Sequence, residues 1–359
     1  VTRTLVIQTA FLGDVVLTIP LLQALAERHG PVDVVTTPGA ASLIETHPAV
    51  RRVVRFDKNG EGSGVRGVFR LGRQLATERY ERVYLPHRSF RSALVAKLTG
   101  ASERIGFADA PFPARLLYTA THPRHTDQHE SVRLLALLGD TVAGGDWRMV
   151  TTPEDDAKAT SWLRERGVAD GFVALAPGSI WGTKKWPYYA ELATKIGRQV
   201  VVIGGKEDAA LGEAIVTAAP DKAKSAVGQL TLRESAALLK HAGLLVTNDS
   251  APLHLATAVG TPILAIFGPT VPAFGYGPIR PGDQVAEIAM SCRPCSSHGP
   301  QVCPLGHHKC MKDQSSETIL SQVRSVLKQE LLHPPALDAP EGWTGQEPRK
   351  PKNPEEGRW

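Results

Sequence analysis

Short runs of β-branched residues alternate with amphipathic stretches along this chain, and halfway along the alternation begins again; nothing else in the sequence narrows its fold so far. The first series is TLVIQT, VDVVTT, RVVRF and RVYLP, interleaved with VLTIPLLQALAERHG, AASLIETHP and VFRLGRQLATERY. Strands that alternate with helices predict a parallel sheet with helices on its faces. After TPEDDAKATSWLRERG, whose Thr152, Pro153 and Glu154 make a helix start, FVALAPG, QVVVIGG, LLVTND and PILAIFG repeat the pattern. The expected class is α/β, with two such units in tandem.

Length agrees, since 359 residues exceed one ordinary core. GDTVAGGDW, rich in Gly and Asp, puts a boundary near residues 140–155, giving a first domain over 1–150 and a second over 151–332. From His333 onward HPPALDAPEGWTGQEPRKPKNPEEGRW holds six prolines and many charges but few apolar side chains, so 333–359 reads as a disordered tail.

A formal charge of +5 favours anionic small molecules, phosphates or an anionic membrane surface over acidic partners. The excess is local: Arg51 to Arg133 carry 14 Arg and 2 Lys against 8 Asp and Glu. Nucleic acid is not expected, because aromatic content is only 6% and no basic stripe is interleaved with aromatics. No stretch approaches the roughly 18 to 20 apolar residues of a membrane span, and no signal-peptide pattern opens the chain. A cytoplasmic protein is expected.

Polar groups gather at several expected strand ends, where open α/β sheets bind ligands. In AFLGDVV, Asp14 enters the first turn of the next helix; it could cap that helix or act as a general base, with Gly13 letting a substrate approach the backbone. LAPGSIWGTKKWP offers Gly178, Ser179, Gly182, Thr183 and Lys184 to an anion, although as an isolated loop it reads equally as a surface turn. LLVTNDSAPLHLATAVGTP brings Asn248, Asp249 and Ser250 to the start of a helix that carries His254; these could again be caps and a core histidine. Three such ends in one chain favour one site between two domains. GSGVRG at 62–67 fits the G-x-G-x-x-G of a dinucleotide site, but it follows the third strand-like run and lacks an acidic strand end about 20 residues later. A dehydrogenase is therefore disfavoured.

All four cysteines lie in SCRPCSSHGPQVCPLGHHKCMKD, at Cys292, Cys295, Cys303 and Cys310. In a cytosolic chain this argues for a structural metal over disulfides, with His298, His307 and His308 as further ligands, or else for reduced thiols in a loop.

Taken in order, AFLGDVVLTIPLLQAL, HRSFRSALVAKLTGASERIGF, LAPGSIWGTKKWP and TNDSAPLHLATAVGTPILAIFGPT resemble the ADP-heptose:lipopolysaccharide heptosyltransferases, glycosyltransferase family 9, over nearly the whole chain except the tail. The resemblance implies a GT-B architecture, two Rossmann-like domains facing a central cleft, with the acceptor on the first and the nucleotide sugar on the second. It implies Asp14 as the base that deprotonates the acceptor, Lys184 at the donor phosphates, Ser179 near the diphosphate, and Asp249, Ser250 and the following backbone at the sugar and diphosphate, with His254 on the same helix turn. Ala251-Pro252 stands where many relatives have Gly-Leu. Glu207, in competition with Asp208, suits the ribose hydroxyls. No Asp-x-Asp occurs, so no cofactor is expected for catalysis. Arg88 and Arg91, with Lys97 and Arg104 nearby, would meet Kdo carboxylates and lipid A phosphates at the inner face of the inner membrane. The Cys-rich segment tilts the resemblance toward heptosyltransferase II. A transferase using another nucleotide sugar or glycan acceptor, or a non-catalytic sugar-nucleotide-binding paralogue, is the alternative.

Overall fold

The computed structural model describes residues 3–60, 62–139 and 146–332, with side chains to 328. The tail expected at 333–359 and part of the expected boundary, 140–145, lie outside the described residues.

Two parallel six-stranded sheets form the molecule. The first contains β1 (Thr4–Ile7), β2 (Val32–Thr36), β3 (Val50–Arg55), β4 (Arg82–Leu85), β5 (Glu103–Phe107) and β6 (Ala120–His122), in the order β3-β2-β1-β4-β5-β6. The second contains β7 (Phe172–Ala176), β8 (Val200–Val202), β9 (Ala223–Ser225), β10 (Ala242–Asn248), β11 (Ile263–Ile266) and β12 (Gln284–Ala286), in the order β12-β11-β10-β7-β8-β9. Each half thus starts at the centre, winds to one edge, and returns to fill the other. This doubly wound order leaves a crevice beside the central strands, at their carboxyl ends.

After Thr4, strand β1 is apolar on both faces because both are covered. Val6 packs with Ile19, Leu22 and Leu25 on one side, and Leu5 and Ile7 pack with Val68, Leu71 and Leu75 on the other. Helix Gly64–Ala76 and helix Phe90–Leu98 share that second face and touch closely, since a Cβ on Gly72 would lie 2.4 Å from Leu98 Cβ. A single apolar cluster includes Val15 and Val16 of the first half and Leu253 and Ala256 of the second, so the core runs on between the halves.

All eight runs read as strands are strands. Four more, β5, β6, β9 and β12, carry no comparable signal: three are three-residue edge strands, ATH, AKS and QVA, whose exposure removes the apolar pattern. Of AASLIETHP, only the beginning continues the short helix Pro38–Ala41. GSGVRG has a packing role. It opens helix Gly64–Ala76 after β3, and a Cβ on Gly67 would fall 2.1 Å from the Gly62 carbonyl oxygen.

Candidate active site

A cavity of about 710 Å³ opens between the two sheets. Of the residues expected from the sequence, Gly13, Asp14, Gly178, Ser179, Lys184, Glu207, Asp249, Ser250, Ala251 and His254 all line it. Thr183, Arg88 and Arg91 do not.

Asp14 follows β1 and sits in the first turn of helix Leu12–Leu17, whose first turn has no other acidic group. Its Oδ2 accepts the Phe11 N–H at 3.1 Å, so the capping role is real. The same carboxylate also faces the cavity, and its pKa is raised to about 6. Burial is the main cause and the Glu130 carboxylate adds to it, against the Phe11 N–H and the Arg124 guanidinium. A carboxylate poised there is basic enough to take a proton near neutral pH. Glu130 itself is buried between Arg124 and Arg133.

Across the cavity, Lys184 Nζ meets Asp249 Oδ2 at 2.6 Å, both side chains being almost fully buried. Thr270 Oγ1 donates to the same oxygen at 2.6 Å. The three come from different places: the turn Gly182–Lys184 after β7, the end of β10, and the loop after β11. Asn248 joins the first two. Its Nδ2 donates to the Pro177 carbonyl at 2.8 Å, and its Oδ1 accepts the Trp186 N–H at 3.1 Å and the Tyr189 hydroxyl at 3.2 Å. Asn248 is thus a structural tie between the two loops, and Asp249 is the group presented to the cavity.

The space beside Gly13, expected to admit a substrate, holds the His254 ring instead. A Cβ on Gly13 would fall 2.6 Å from His254 Cδ2, so the glycine lets the two halves approach. Burial lowers the His254 pKa to about 4; Asp249 opposes this and Lys184 adds to it, which keeps the imidazole neutral. Asp208 and Glu207 divide their roles by burial. Asp208 accepts the Gly205 N–H at 3.1 Å and fills the space that side chains on Gly178 and Gly204 would need, whereas Glu207 is exposed at the cavity rim.

Thr183, expected among the donor groups, is turned away because its hydroxyl donates to the Pro300 carbonyl. Arg88 pairs with Asp109 at 2.6 Å and Arg91 donates to the Lys58 carbonyl at 3.1 Å, both outside the cavity lining. Sequence reasoning missed Phe11, Trp181, Phe274, Tyr276 and His298 on the walls. The His298 ring lies 5.9 Å from both Phe11 and Trp181, from opposite halves. Trp181 lies in SIWGTKKWP and Phe11 in AFLGDVV, and His298 is expected only as a metal ligand; nothing local marks Phe274 or Tyr276.

The four cysteines are free thiols, and among the described residues no three His, Cys, Asp or Glu side chains are arranged to hold a metal ion. The segment backs the Lys184 loop. Gln301 Oε1 accepts the Gly182 N–H at 3.0 Å and its Nε2 donates to the Ile180 carbonyl at 2.9 Å, while His308 Nε2 donates to the Thr183 carbonyl at 2.7 Å.

A sequence model of glycosyltransferase family 9 (heptosyltransferase) matches residues 68–305. Lipopolysaccharide heptosyltransferase 2 of Escherichia coli is 24% identical over 91% of this chain and 99% of its own length. Lipopolysaccharide heptosyltransferase 1 of Pseudomonas aeruginosa is 28% identical over 82% of this chain and 86% of its own. Among solved structures, the glycosyl transferase family 9 protein from Veillonella parvula has a TM-score of 0.81 at 24% identity, covering 91% of this chain and 98% of that one. The likeness shows the fold: two α/β units on either side of a cleft, the GT-B architecture.

Proposed function

This chain belongs to glycosyltransferase family 9 (heptosyltransferase), and from that premise we propose that it is an inverting transferase carrying heptose from ADP-L-glycero-D-manno-heptose to the inner core of lipopolysaccharide, on Kdo-lipid A or its heptosylated form. The observation that carries the reading is a single cavity in which a carboxylate raised to about 6 faces a buried lysine and aspartate from the other half. The family match begins after Asp14, so the assignment of the base rests on this geometry.

In this reading Asp14 accepts the proton of the acceptor hydroxyl as its oxygen bonds to the anomeric carbon. The bond from that carbon to the diphosphate oxygen breaks on the opposite face, and ADP leaves with the electron pair. One base suffices for inversion. Lys184 meets the charge that grows on the diphosphate, exchanging part of its contact with Asp249 for phosphate oxygens. The start of helix Ala251–Val259 adds backbone N–H groups, and Glu207 at the rim suits the ribose hydroxyls. None of these roles requires a metal. We place the reaction at the inner face of the inner membrane, where a cytoplasmic nucleotide sugar meets a lipid acceptor.

The test is ADP release by the purified protein given ADP-L-glycero-D-manno-heptose with Kdo2-lipid A or its mono-heptosylated form in separate reactions, beside Asp14→Asn. Release is expected with one acceptor only, reduced at least about a hundredfold in the variant. Donor binding without release on either acceptor would point to another acceptor or a binding-only protein. Undiminished release by Asp14→Asn would leave Asp14 a helix cap.

A further inference from the structure

We infer that the outer face of the first half is a docking surface for an anionic lipid bilayer, an inference that rests on the proposed lipid acceptor. The face is built by three neighbours on one side of the first sheet: helix Gly64–Ala76, helix Phe90–Leu98, which packs against it, and the turn Ala114–Leu117, which packs against the second helix.

Large apolar side chains stand out along it. Phe112 is 77% exposed, Val65 68% and Leu116 66%, and Phe69 and Phe90 are exposed as well. Five such groups on one face are more than the scattered exposure of an ordinary surface. Inward, Val68, Leu71 and Leu75 of the same helix are buried on the sheet, so Val65 and Phe69 take no part in that core.

Cations surround the apolar groups. Arg66 and Arg73 lie on the exposed side of helix Gly64–Ala76, Arg115 lies beside Leu116, and Arg88 and Arg91 flank Phe90. Among the described residues, Asp109 at this rim is paired with Arg88, and Asp57 accepts the N–H groups of Asn59 and Gly60 in its own turn. A net positive surface studded with aromatic and aliphatic side chains matches a bilayer whose headgroups are anionic and whose interface takes up apolar groups. It fits a second copy of this chain poorly, because two such faces would repel. Sparse aromatics without a groove fit nucleic acid poorly as well.

Position links the face to the chemistry. Phe90 and Phe112 follow the carboxyl ends of β4 and β5, the same sheet edge at which Asp14 follows β1, and Lys58 Nζ at that edge donates to the Thr9 carbonyl at 2.6 Å. A bilayer seated there would present a lipid-anchored acceptor at the mouth of the cleft.

The experiment is flotation of the whole protein with vesicles of phosphatidylcholine alone, or of phosphatidylcholine and phosphatidylglycerol in equal parts, beside two double variants, Phe112→Asp with Leu116→Asp and Arg66→Glu with Arg73→Glu. Binding is expected only to the anionic vesicles, weakening with salt and falling more than about tenfold in either variant. ADP release on a water-soluble, delipidated acceptor should stay at the wild-type level in both variants, and melting curves should match. Vesicle binding that ignores both variants, or no binding at all, would overturn the inference; so would an equal preference for a short RNA, or self-association abolished by the same variants. Flotation uses no sugar donor, so failure of the proposed reaction and failure of the docking surface are read separately.

Discussion

At the scale of single residues, Asp14 has two roles that pull its pKa in opposite directions. As a cap it accepts a backbone N–H, which favours the charged form, yet burial and Glu130 outweigh that and raise its pKa to about 6. A base must be ionised, so kcat/KM is expected to fall as pH drops through about 6. The same shift has a sign for stability. The folded chain holds this proton more tightly than an unfolded chain in which the group titrates at 3.8, so between the two values the Asp14 contribution to stability declines as pH rises. Asp14→Asn keeps an oxygen for the Phe11 N–H but cannot ionise. It should therefore gain in Tm over the wild type above pH 6, and the gain should vanish toward pH 3.8. A difference in Tm independent of pH would contradict the shift. Asp14 and Lys184 could be found by reading strand ends, whereas the partner of Gly13 could not. A glycine in a sequence shows freedom of approach without showing what approaches, and here it is the His254 ring.

Among elements, the Cys-rich segment shows how a loop can matter through what it supports. Its Gln301 and His308 hold three backbone groups between Ile180 and Thr183, directly before Lys184. Each bond contributes about 1 kcal/mol, but together they fix where the ammonium points. Gln301→Ala and His308→Ala should each raise the donor KM several-fold with little change in the acceptor KM, and His308→Gln, which can still donate to the Thr183 carbonyl, should recover most of the loss. Initial-rate kinetics with each substrate varied in turn gives the answer, and equal effects on both KM values would rule out a role confined to this loop. From the sequence, the clustering of the cysteines drew attention to the right segment for another reason. Strands at sheet centres such as β1, β7 and β10 were legible because burial on both faces demands continuous apolar runs, whereas the three-residue edge strands β6, β9 and β12 were not, because they owe their pairing to a neighbour rather than to their own residues.

For the whole molecule, the relation between the halves depends on a buried charged latch. Glu130 donates its N–H to the Gly275 carbonyl at 2.8 Å, Arg133 reaches the Phe274 carbonyl at 2.7 Å, and His129 Nε2 donates to the Gly277 carbonyl at 3.1 Å. Phe274 and Tyr276 of the gripped loop line the cavity, so the latch sets its width. Arg133→Met removes the bond to the Phe274 carbonyl and leaves Glu130 paired with Arg124 alone. Loss of one member of a buried pair costs about 3–5 kcal/mol, so Tm should fall by several degrees and small-angle scattering should report a larger radius of gyration. A variant as stable and compact as the wild type would place the coupling elsewhere. The sequence by itself determined the doubly wound α/β halves, their central strands and the polar groups at the strand ends, because period, burial and turn chemistry act over short stretches of chain. Tertiary structure alone decided that Lys184 pairs with Asp249, that His254 fills the space at Gly13, that Thr183 turns outward and that Glu130 acts on Asp14. Those outcomes depend on which segments, and at Gly13 and His254 which halves, the fold brings together, and no local pattern encodes a contact between residues so far apart in the chain.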